Sequence, residues 1–294
     1  MNFKDKLLLY SENINQYLRS YMDSIEDIDS LLLESMKYSL LSGGKRIRPI
    51  IFLVFNEIFG GKNDVSSYKV SCSIEMIHTY SLIHDDLPSM DNDDMRRGKP
   101  SNHIVYGENI AILAGDALLT QAFENISSIN QIDCEKRVKM MGVLSRASGS
   151  SGMISGQSLD IHKLKNDISD EEIINIYKKK TGMLFSASCQ MGAILAGADK
   201  SKIELSGKIG EDIGILFQIV DDILDVVGQS EIIGKNIFSD INNSKCTFIS
   251  KNGIELGKKY VDSLSLEIKN HIKETECTDK FLDELLDYLK TRVN

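Results

Sequence analysis

Proline is scarce in this chain of 294 residues, which has three prolines and none after Pro100. An all-β or loop-rich fold would seldom leave two thirds of a chain without proline, whereas helices exclude it from their interiors. Long apolar runs are also missing, since the longest, Ile50 to Phe55, is far shorter than the roughly 20 residues that cross a bilayer. The sequence therefore predicts a mostly helical protein without a membrane segment.

The charge balance, the cysteines and the N-terminal residues argue against three further classes of protein: nucleic-acid-binding, zinc or dithiol, and secreted proteins. The formal net charge is −9, which disfavours nucleic acid as a partner because phosphate backbones are bound by surplus Lys and Arg. Five cysteines are spread singly, without the paired spacing of a zinc or dithiol centre. Residues 1–21 are charged throughout and lack the apolar stretch of a signal peptide. We therefore expect a cytoplasmic protein with reduced thiols.

Apolar residues recur at steps of three and four through most of the chain, as on one face of an α-helix. Gly43-Gly44 and Gly60-Gly61 follow two early helices, over 30–41 and 48–59, where a left-handed cap favours glycine. No pattern indicates a strand, a linker or a repeat, so we expect about ten helices in one domain over residues 1–294. The other predicted helices cover 3–21, 65–86, 107–126, 135–150, 170–197, 202–228, 255–274 and 279–291.

Five carboxylates fall within ten residues directly after an apolar helix: Asp85, Asp86, Asp91, Asp93 and Asp94. Crowded carboxylates raise one another's pKa, and a bound divalent cation is the usual way to keep them ionised. Pro88 disfavours helical geometry at Leu87, so the helix should end near Asp86 and the chain should return Asp91 to Asp85. A solvated acidic turn is the alternative, and a calcium loop fits poorly because its Gly and Glu positions are not filled.

A second cluster, Asp221, Asp222 and Asp225, lies in an apolar helical segment. Asp221 and Asp225 are four residues apart, about 40° around a helix, so they share a face. Unpaired carboxylates in an apolar setting cost several kcal/mol, and metal ions are suitable partners for them. Two oxygen-rich clusters favour Mg²⁺, which is commonly shared between carboxylates and substrate phosphates.

Short basic groups accompany the two acidic clusters: Lys45, Arg46 and Arg48; Arg96, Arg97 and Lys99; and Lys178 to Lys180. Each group alone is typical of a helix end or a solvated face, but together they indicate more than one phosphate-bearing ligand. Arg offers a planar fork that suits diphosphate oxygens, and Lys offers a movable point charge. The negatively charged chain thus has local sites for small anionic substrates.

At these motifs the sequence resembles the trans-isoprenyl diphosphate synthases, the polyprenyl synthetase family, and in particular its bacterial-type farnesyl diphosphate synthases. The resemblance covers about residues 30 to 250 and implies an all-α bundle of the isoprenoid synthase type around a deep central cavity, usually as a homodimer. Besides the two aspartate motifs it rests on Gly43-Gly44-Lys45-Arg46-x-Arg48-Pro49, Arg96-Arg97-Gly98, Gly156-Gln157, Lys180-Thr181-Gly182 and Phe217-Gln218.

The resemblance implies a Mg²⁺-dependent prenyltransferase that condenses dimethylallyl or geranyl diphosphate head to tail with isopentenyl diphosphate. Three Mg²⁺ ions, for which Mn²⁺ can substitute, would be held against the allylic diphosphate by Asp85, Asp91 and Asp221 with support from Asp86, Asp222 and Asp225. That diphosphate would also contact Arg96, Lys180 and Lys235. Isopentenyl diphosphate would be held by Lys45, Arg48, His78 and Arg97, and Gly44 would be a further substrate-binding residue. Oxygen dipoles for the allylic cation would come from Thr181, Gln218 and the Lys180 carbonyl, and Lys245 is a further substrate contact.

Product length is the feature that the sequence leaves open. The helix pitch of about 5.4 Å is close to the length of one isoprene unit, so a bulky residue one or two turns below Asp85 can set the floor of the cavity. Tyr80 is such a residue, and we assign chain length to it together with Ser81. In the family an aromatic there, with the insertion Pro88-Ser89, accompanies a fifteen-carbon product. We expect farnesyl diphosphate as the product, with geranyl or geranylgeranyl diphosphate as alternatives. The alternative role for Tyr80 is that of an ordinary buried core residue.

Three other functions compete with this interpretation. A terpene cyclase would share the first aspartate motif, but its second motif normally carries Asn or Asp, then Ser or Thr, then Glu. A helical phosphohydrolase would use His78, His84 and Asp85, but histidines only six positions apart are too close for that pattern, and the second cluster is left unexplained. A non-catalytic synthase subunit usually lacks one aspartate motif, whereas both are complete here.

Overall fold

The computed structural model describes residues 2–163, 168–233, 246–276 and 280–291 of the chain. These residues form fourteen α-helices and one short antiparallel ladder, β1 (Met95–Arg96) with β2 (Lys99–Pro100), so the predicted all-α class is confirmed. The first seven helices are α1 Phe3–Asp23, α2 Ser30–Leu40, α3 Ile47–Ile58, α4 Val65–Asp85, α5 Asn102–Tyr106, α6 Glu108–Ser127 and α7 Cys134–Ser148. The others are α8 Met153–Lys163, α9 Asp170–Tyr177, α10 Met183–Ala196, α11 Lys200–Ile233, α12 Phe248–Asn252, α13 Ile254–Glu274 and α14 Phe281–Lys290.

The structure differs from the predicted helices at four places and adds one short ladder. The segment predicted as one helix over 170–197 is α9 and α10 joined by a π-helical turn, Lys178–Gly182. Helices α5 and α12 have five residues each, which is too short for an apolar period to repeat. Helix α8 is rich in Gly and Ser, which weakens its apolar stripe. The ladder β1–β2 was not predicted because two residues per strand show no alternation.

The described residues fall into two compact units, one within Met1–Gly142 and Ile194–Gly197, the other within Val143–Ala193 and Ala198–Asn294. In the first unit α4 is the central element, and it packs against α6, α3, α1 and α2. In the second unit α11 is central and contacts α13, the π-helical turn, α12 and α14. The single domain expected over residues 1–294 stays a prediction.

Helix α3 contains the apolar run of the sequence, and it is buried on all sides. The six residues from Ile50 to Phe55 are almost completely buried, as expected of a helix that is apolar around its whole circumference. Burial on all sides explains why no polar residue interrupts this run. No helix among the described residues has both the length and the apolar character needed to span a bilayer.

A buried ion pair connects the start of α3 to α4. Arg46 has a left-handed backbone (φ 52°), and its guanidinium donates to the Glu75 carboxylate, to the Asn15 side chain at 2.9 Å and to the Leu40 carbonyl at 2.8 Å. Both members of the pair are buried. Arg46 is therefore occupied by three acceptors within the protein.

We expect Arg46→Ala to lower the free energy of unfolding by about 3 kcal/mol, because it leaves the Glu75 carboxylate buried without its main partner. Urea unfolding followed by circular dichroism measures this change. The matched control is Lys37→Ala, which removes a partly exposed ion pair to Asp23 (2.7 Å) and should cost less than about 1 kcal/mol. Equal losses in the two variants would contradict the structural role of the Arg46–Glu75 pair.

Candidate active site

The first aspartate cluster lies where α4 ends and the chain folds back. Helix α4 ends at Asp85 and is capped by Asp86, as Pro88 predicts. The backbone N–H of Asp91 then donates to the Asp85 carbonyl at 2.9 Å, and that of Asp93 to the Asp86 carbonyl at 3.2 Å. The predicted return of Asp91 to Asp85 is confirmed. Asp85 is partly exposed and Asp91 is exposed, so both carboxylates can meet a ligand from solvent.

Asp86 has a different environment from its two neighbours in the motif. It is 2% exposed and accepts hydrogen bonds from the Arg96 guanidinium, with Nε 2.9 Å from Oδ1. The same guanidinium donates to the Asp93 carboxylate at 2.9 Å. Burial raises the pKa of Asp86, although the Arg96 hydrogen bonds act in the opposite direction. In this structure Asp86 positions Arg96, and its predicted support of a metal ion stays a prediction.

A tight hairpin directs the adjacent arginines to different partners. Arg97 and Gly98 both have left-handed backbones (φ 54° and 75°) and form the two-residue turn between β1 and β2. Whereas Arg96 contacts Asp86, the Arg97 guanidinium donates to the Gly43 carbonyl and lies 3.7 Å from Glu75. Gly44 has a positive φ of 115°, which strains any other residue, and a Cβ there would approach Arg97 Cζ to 2.9 Å and displace the guanidinium.

Two other residues predicted to hold isopentenyl diphosphate lie near Arg97. Arg48 Nη1 is 3.4 Å from His78 Nε2, and the side chain of Lys45 is exposed. Burial, followed by the positive charges of Arg48 and Arg97, holds the pKa of His78 well below its ordinary value. The imidazole is therefore neutral beside a group of cations, which is a setting that favours an anionic ligand.

A small, open cleft in the first unit contains part of these residues. Its lining includes Asp86, Arg96, Arg97, Thr79 and Asn102. Tyr80 is 5% exposed and does not line this cleft. Its ring contacts His84 edge to face (5.8 Å between centroids), and its hydroxyl is buried without a hydrogen-bond partner among the described residues. Ser81 donates to the His78 carbonyl of its own helix.

The second cluster lies on α11, and its middle member is again the buried one. Asp222 is 7% exposed; one carboxylate oxygen accepts from the Tyr177 hydroxyl and the other from Gln218 Nε2 at 3.1 Å. Burial raises the pKa of Asp222 to about 6, against the effect of these hydrogen bonds. Asp221 is partly exposed and Asp225 exposed, on the shared face that their spacing predicts.

The π-helical turn brings Thr181 and Lys180 to this part of the second unit. Thr181 Oγ1 donates to Gln218 Oε1 at 2.9 Å, which extends the network from Asp222 and Tyr177. Lys180 Nζ donates to Asp160 at 2.8 Å. A Cβ on Gly156 would lie 2.2 Å from the Lys180 backbone nitrogen, so α8 approaches the turn only because this residue is glycine.

Sequence reasoning missed several members of this network. Tyr177 and Asp160 are not in the predicted set, although each forms a hydrogen bond to a residue that is. The Gly156-Gln157 motif was the available signal, since it lies where α8 meets the turn. Both amide atoms of Gln157 are buried without a hydrogen-bond partner within the described ranges. The predicted substrate contacts Lys235 and Lys245 lie outside the described residues.

Comparison with known proteins gives one consistent result. A family model described as polyprenyl synthetase matches residues 29–289. The farnesyl diphosphate synthase of Bacillus subtilis is 42% identical over 283 residues, 96% of this chain and 95% of the relative. That of Micrococcus luteus is 40% identical over 98% of this chain and 99% of the relative, and plant geranylgeranyl pyrophosphate synthases are also among the relatives.

A solved structure agrees with these relatives. The crystal structure of a geranyltransferase from Legionella pneumophila superposes with a TM-score of 0.88 at 30% identity, covering 99% of this chain and 97% of that chain. The matched family model, the relatives and the fold extend over nearly the whole sequence, well beyond the motifs. The chain belongs to the polyprenyl synthetase family.

Proposed function

We propose that this protein is a (2E,6E)-farnesyl diphosphate synthase, which condenses dimethylallyl and then geranyl diphosphate with isopentenyl diphosphate. The observation that carries the proposal is the fold-back at the end of α4, which returns Asp91 to Asp85 beside two arginines with separate partners. Such an arrangement offers carboxylates for metal ions and cations for two diphosphates. The names of the bacterial relatives support the same activity.

The donor set of the aspartate clusters fits Mg²⁺. Asp85, Asp91, Asp221 and Asp225 offer only carboxylate oxygens and are at least partly exposed, which suits a hard cation that keeps several waters. When bound, Mg²⁺ supplies positive charge that stabilises the departing diphosphate. We propose that these four aspartates bind three Mg²⁺ ions. Asp86 and Asp222 instead position protein side chains, Arg96 and Gln218 respectively.

The cations of the first unit would bind the two substrates separately. Arg96, fixed by Asp86 and Asp93, is assigned to the allylic diphosphate. Arg97, Arg48, Lys45 and the neutral His78 are assigned to isopentenyl diphosphate. Because His78 carries no positive charge, it can accept or donate a single hydrogen bond without adding repulsion among the arginines.

The Thr181 network determines which atoms face a developing positive charge. Since the Thr181 hydroxyl donates its proton to Gln218, its oxygen lone pairs remain for an allylic cation. Gln218 is itself fixed by donation to Asp222. The carbon–oxygen bond of the allylic substrate breaks, the double bond of isopentenyl diphosphate attacks the cation, and the departing diphosphate accepts the released proton. No side-chain base is needed for this step.

We further propose a homodimer that acts in the cytoplasm. Large apolar side chains are exposed on two helices that pack together in the first unit: Ile104 and Val105 on α5, and Ile112 and Leu113 on α6. Exposed apolar side chains grouped in this way favour contact with another protein surface. The unpaired thiols of the buried Cys72 and Cys189 are compatible with a reducing compartment.

We expect Asp85→Asn and Asp221→Asn each to lower the turnover number at least about a hundredfold, the scale of losing one preorganised electrostatic group. Product formation from labelled isopentenyl diphosphate in saturating Mg²⁺ measures the loss. Excess EDTA should abolish the activity of the unmodified protein, and Mg²⁺ should restore it. Asp133→Asn, at an exposed aspartate outside both clusters, is the matched control. Near-normal turnover in either cluster variant would exclude that residue as a metal ligand.

The two arginines of the hairpin should affect different substrates. Arg97→Ala should raise the KM for isopentenyl diphosphate about tenfold or more, because a hydrogen bond to a charged group contributes about 1.5–3 kcal/mol. Arg96→Ala should act mainly on the allylic substrate. Steady-state kinetics with each substrate varied in turn distinguish these effects, and each variant is the control for the other. Equal effects on both Michaelis constants would refute the division.

Tyr80→Ala should shift the main product from fifteen to twenty or more carbons, because it removes a buried aromatic ring one to two turns below Asp85. Tyr80→Phe keeps the ring and removes only the hydroxyl, so it should still stop at fifteen. Mass spectrometry of the products gives the answer. A folded Tyr80→Ala protein that keeps the fifteen-carbon product would show that Tyr80 is ordinary core. A twenty-carbon product from the unmodified protein would instead favour the geranylgeranyl alternative, the activity for which a plant relative is named.

A further inference from the structure

A histidine and two carboxylates meet in the second unit, away from the residues assigned to prenyl transfer. Asp212 lies on α11, and Glu267 and His271 lie on α13, with one ligand atom from each residue within 4.8 Å of the others. Glu267 and His271 are four residues apart and therefore share one face of α13. Asp212 precedes Asp221 by nine residues, about 13.5 Å along the helix, so the cluster is distinct from the second aspartate motif.

Two buried atoms of this cluster have no hydrogen-bond partner. Asp212 is buried, with 2% of its side chain exposed; its Oδ1 accepts from Lys208 Nζ at 2.8 Å. Neither Asp212 Oδ2 nor His271 Nδ1 has a hydrogen-bond partner within the described part of the chain. These two atoms are 3.9 Å apart, too far for a hydrogen bond. Buried polar atoms left in this state are costly, so their persistence needs an explanation.

We propose that Asp212, Glu267 and His271 form a binding site for a divalent transition-metal ion, with Zn²⁺ as the preferred ion. One imidazole and two carboxylates suit Zn²⁺, whereas Mg²⁺ prefers oxygen ligands alone. Two ligands each about 2.1 Å from a metal lie at most about 4.2 Å apart, so the 3.9 Å between Asp212 Oδ2 and His271 Nδ1 already fits a shared ion. Glu267 is exposed and can move to complete the set.

The surrounding charges agree with this assignment. Lys208 occupies only one oxygen of Asp212, and its side chain is 47% exposed, so the ammonium can move away from an incoming ion. Asp212 also lies within the electrostatic range of Glu211 and Glu267, and Lys208 is the cation that faces this group of carboxylates. The group of carboxylates thus attracts a cation. A bound ion would connect α13 directly to α11, the helix that carries the second aspartate motif.

Zinc uptake by the full chain tests the proposal. Chelator-treated protein is placed in excess Mg²⁺, which fills the aspartate motifs, and is then titrated with ZnCl₂. We expect one Zn²⁺ per chain by elemental analysis after desalting, and a rise in Tm of about 3–5 °C. The variants His271→Ala and Glu267→Gln should weaken zinc binding at least about a hundredfold, and both change partly or fully exposed side chains, so they should fold.

Two controls locate the bound ion. His162→Ala removes an exposed histidine of α8 outside the cluster and should leave zinc binding unchanged. A protein carrying both Asp85→Asn and Asp221→Asn should also bind Zn²⁺ normally, which separates this site from prenyl transfer. Equal zinc uptake by His271→Ala and the unmodified protein would overturn the proposal. So would the absence of zinc uptake by the unmodified protein.

Discussion

The carboxylate of Glu75 connects three segments of the first unit: α4, the residue that precedes α3, and the β1–β2 hairpin. It is buried on α4, where it pairs with Arg46 at the start of α3, and it lies 3.7 Å from Arg97 of the hairpin. A carboxylate in such a setting is costly without cationic partners, so the basic loop and the hairpin must stay against α4. This carboxylate thus holds the residue before α3 and the Arg97 side chain of the hairpin against α4, next to the residues that we assign to isopentenyl diphosphate.

The two aspartate clusters have the same pattern of burial. In each, the central aspartate, Asp86 or Asp222, is buried and hydrogen-bonded to protein donors, and burial raises its pKa. The outer aspartates are partly or fully exposed. The inner carboxylate fixes a neighbouring group, Arg96 in one unit and Gln218 in the other, while the outer ones are the carboxylates to which we assign metal ions. Aspartates of one motif therefore have different surroundings and contacts because their burial differs.

Much of this arrangement could be read from the sequence, for reasons that particular residues make clear. Pro88 determines where α4 ends, and Gly44 and Gly156 mark places where backbone and side chains approach closely. The roles of Arg46 and Asp86 could not be predicted, because a basic or acidic residue in a motif looks the same whether its partner is a substrate or the protein. Tyr177 and Asp160 were missed since long-range hydrogen bonds leave no local pattern.

The Arg97-Gly98 turn has a consequence for how this region can vary between related chains. Two strands of two residues pair in one fixed register, and the turn between them leaves no slack. Inserting or deleting a single residue would shift the register by one position, so that one arginine would take the place of the other and either the Asp86 or the Glu75 contact would lose its arginine. The length of this hairpin should consequently be under stronger selection than the identity of its exposed residues.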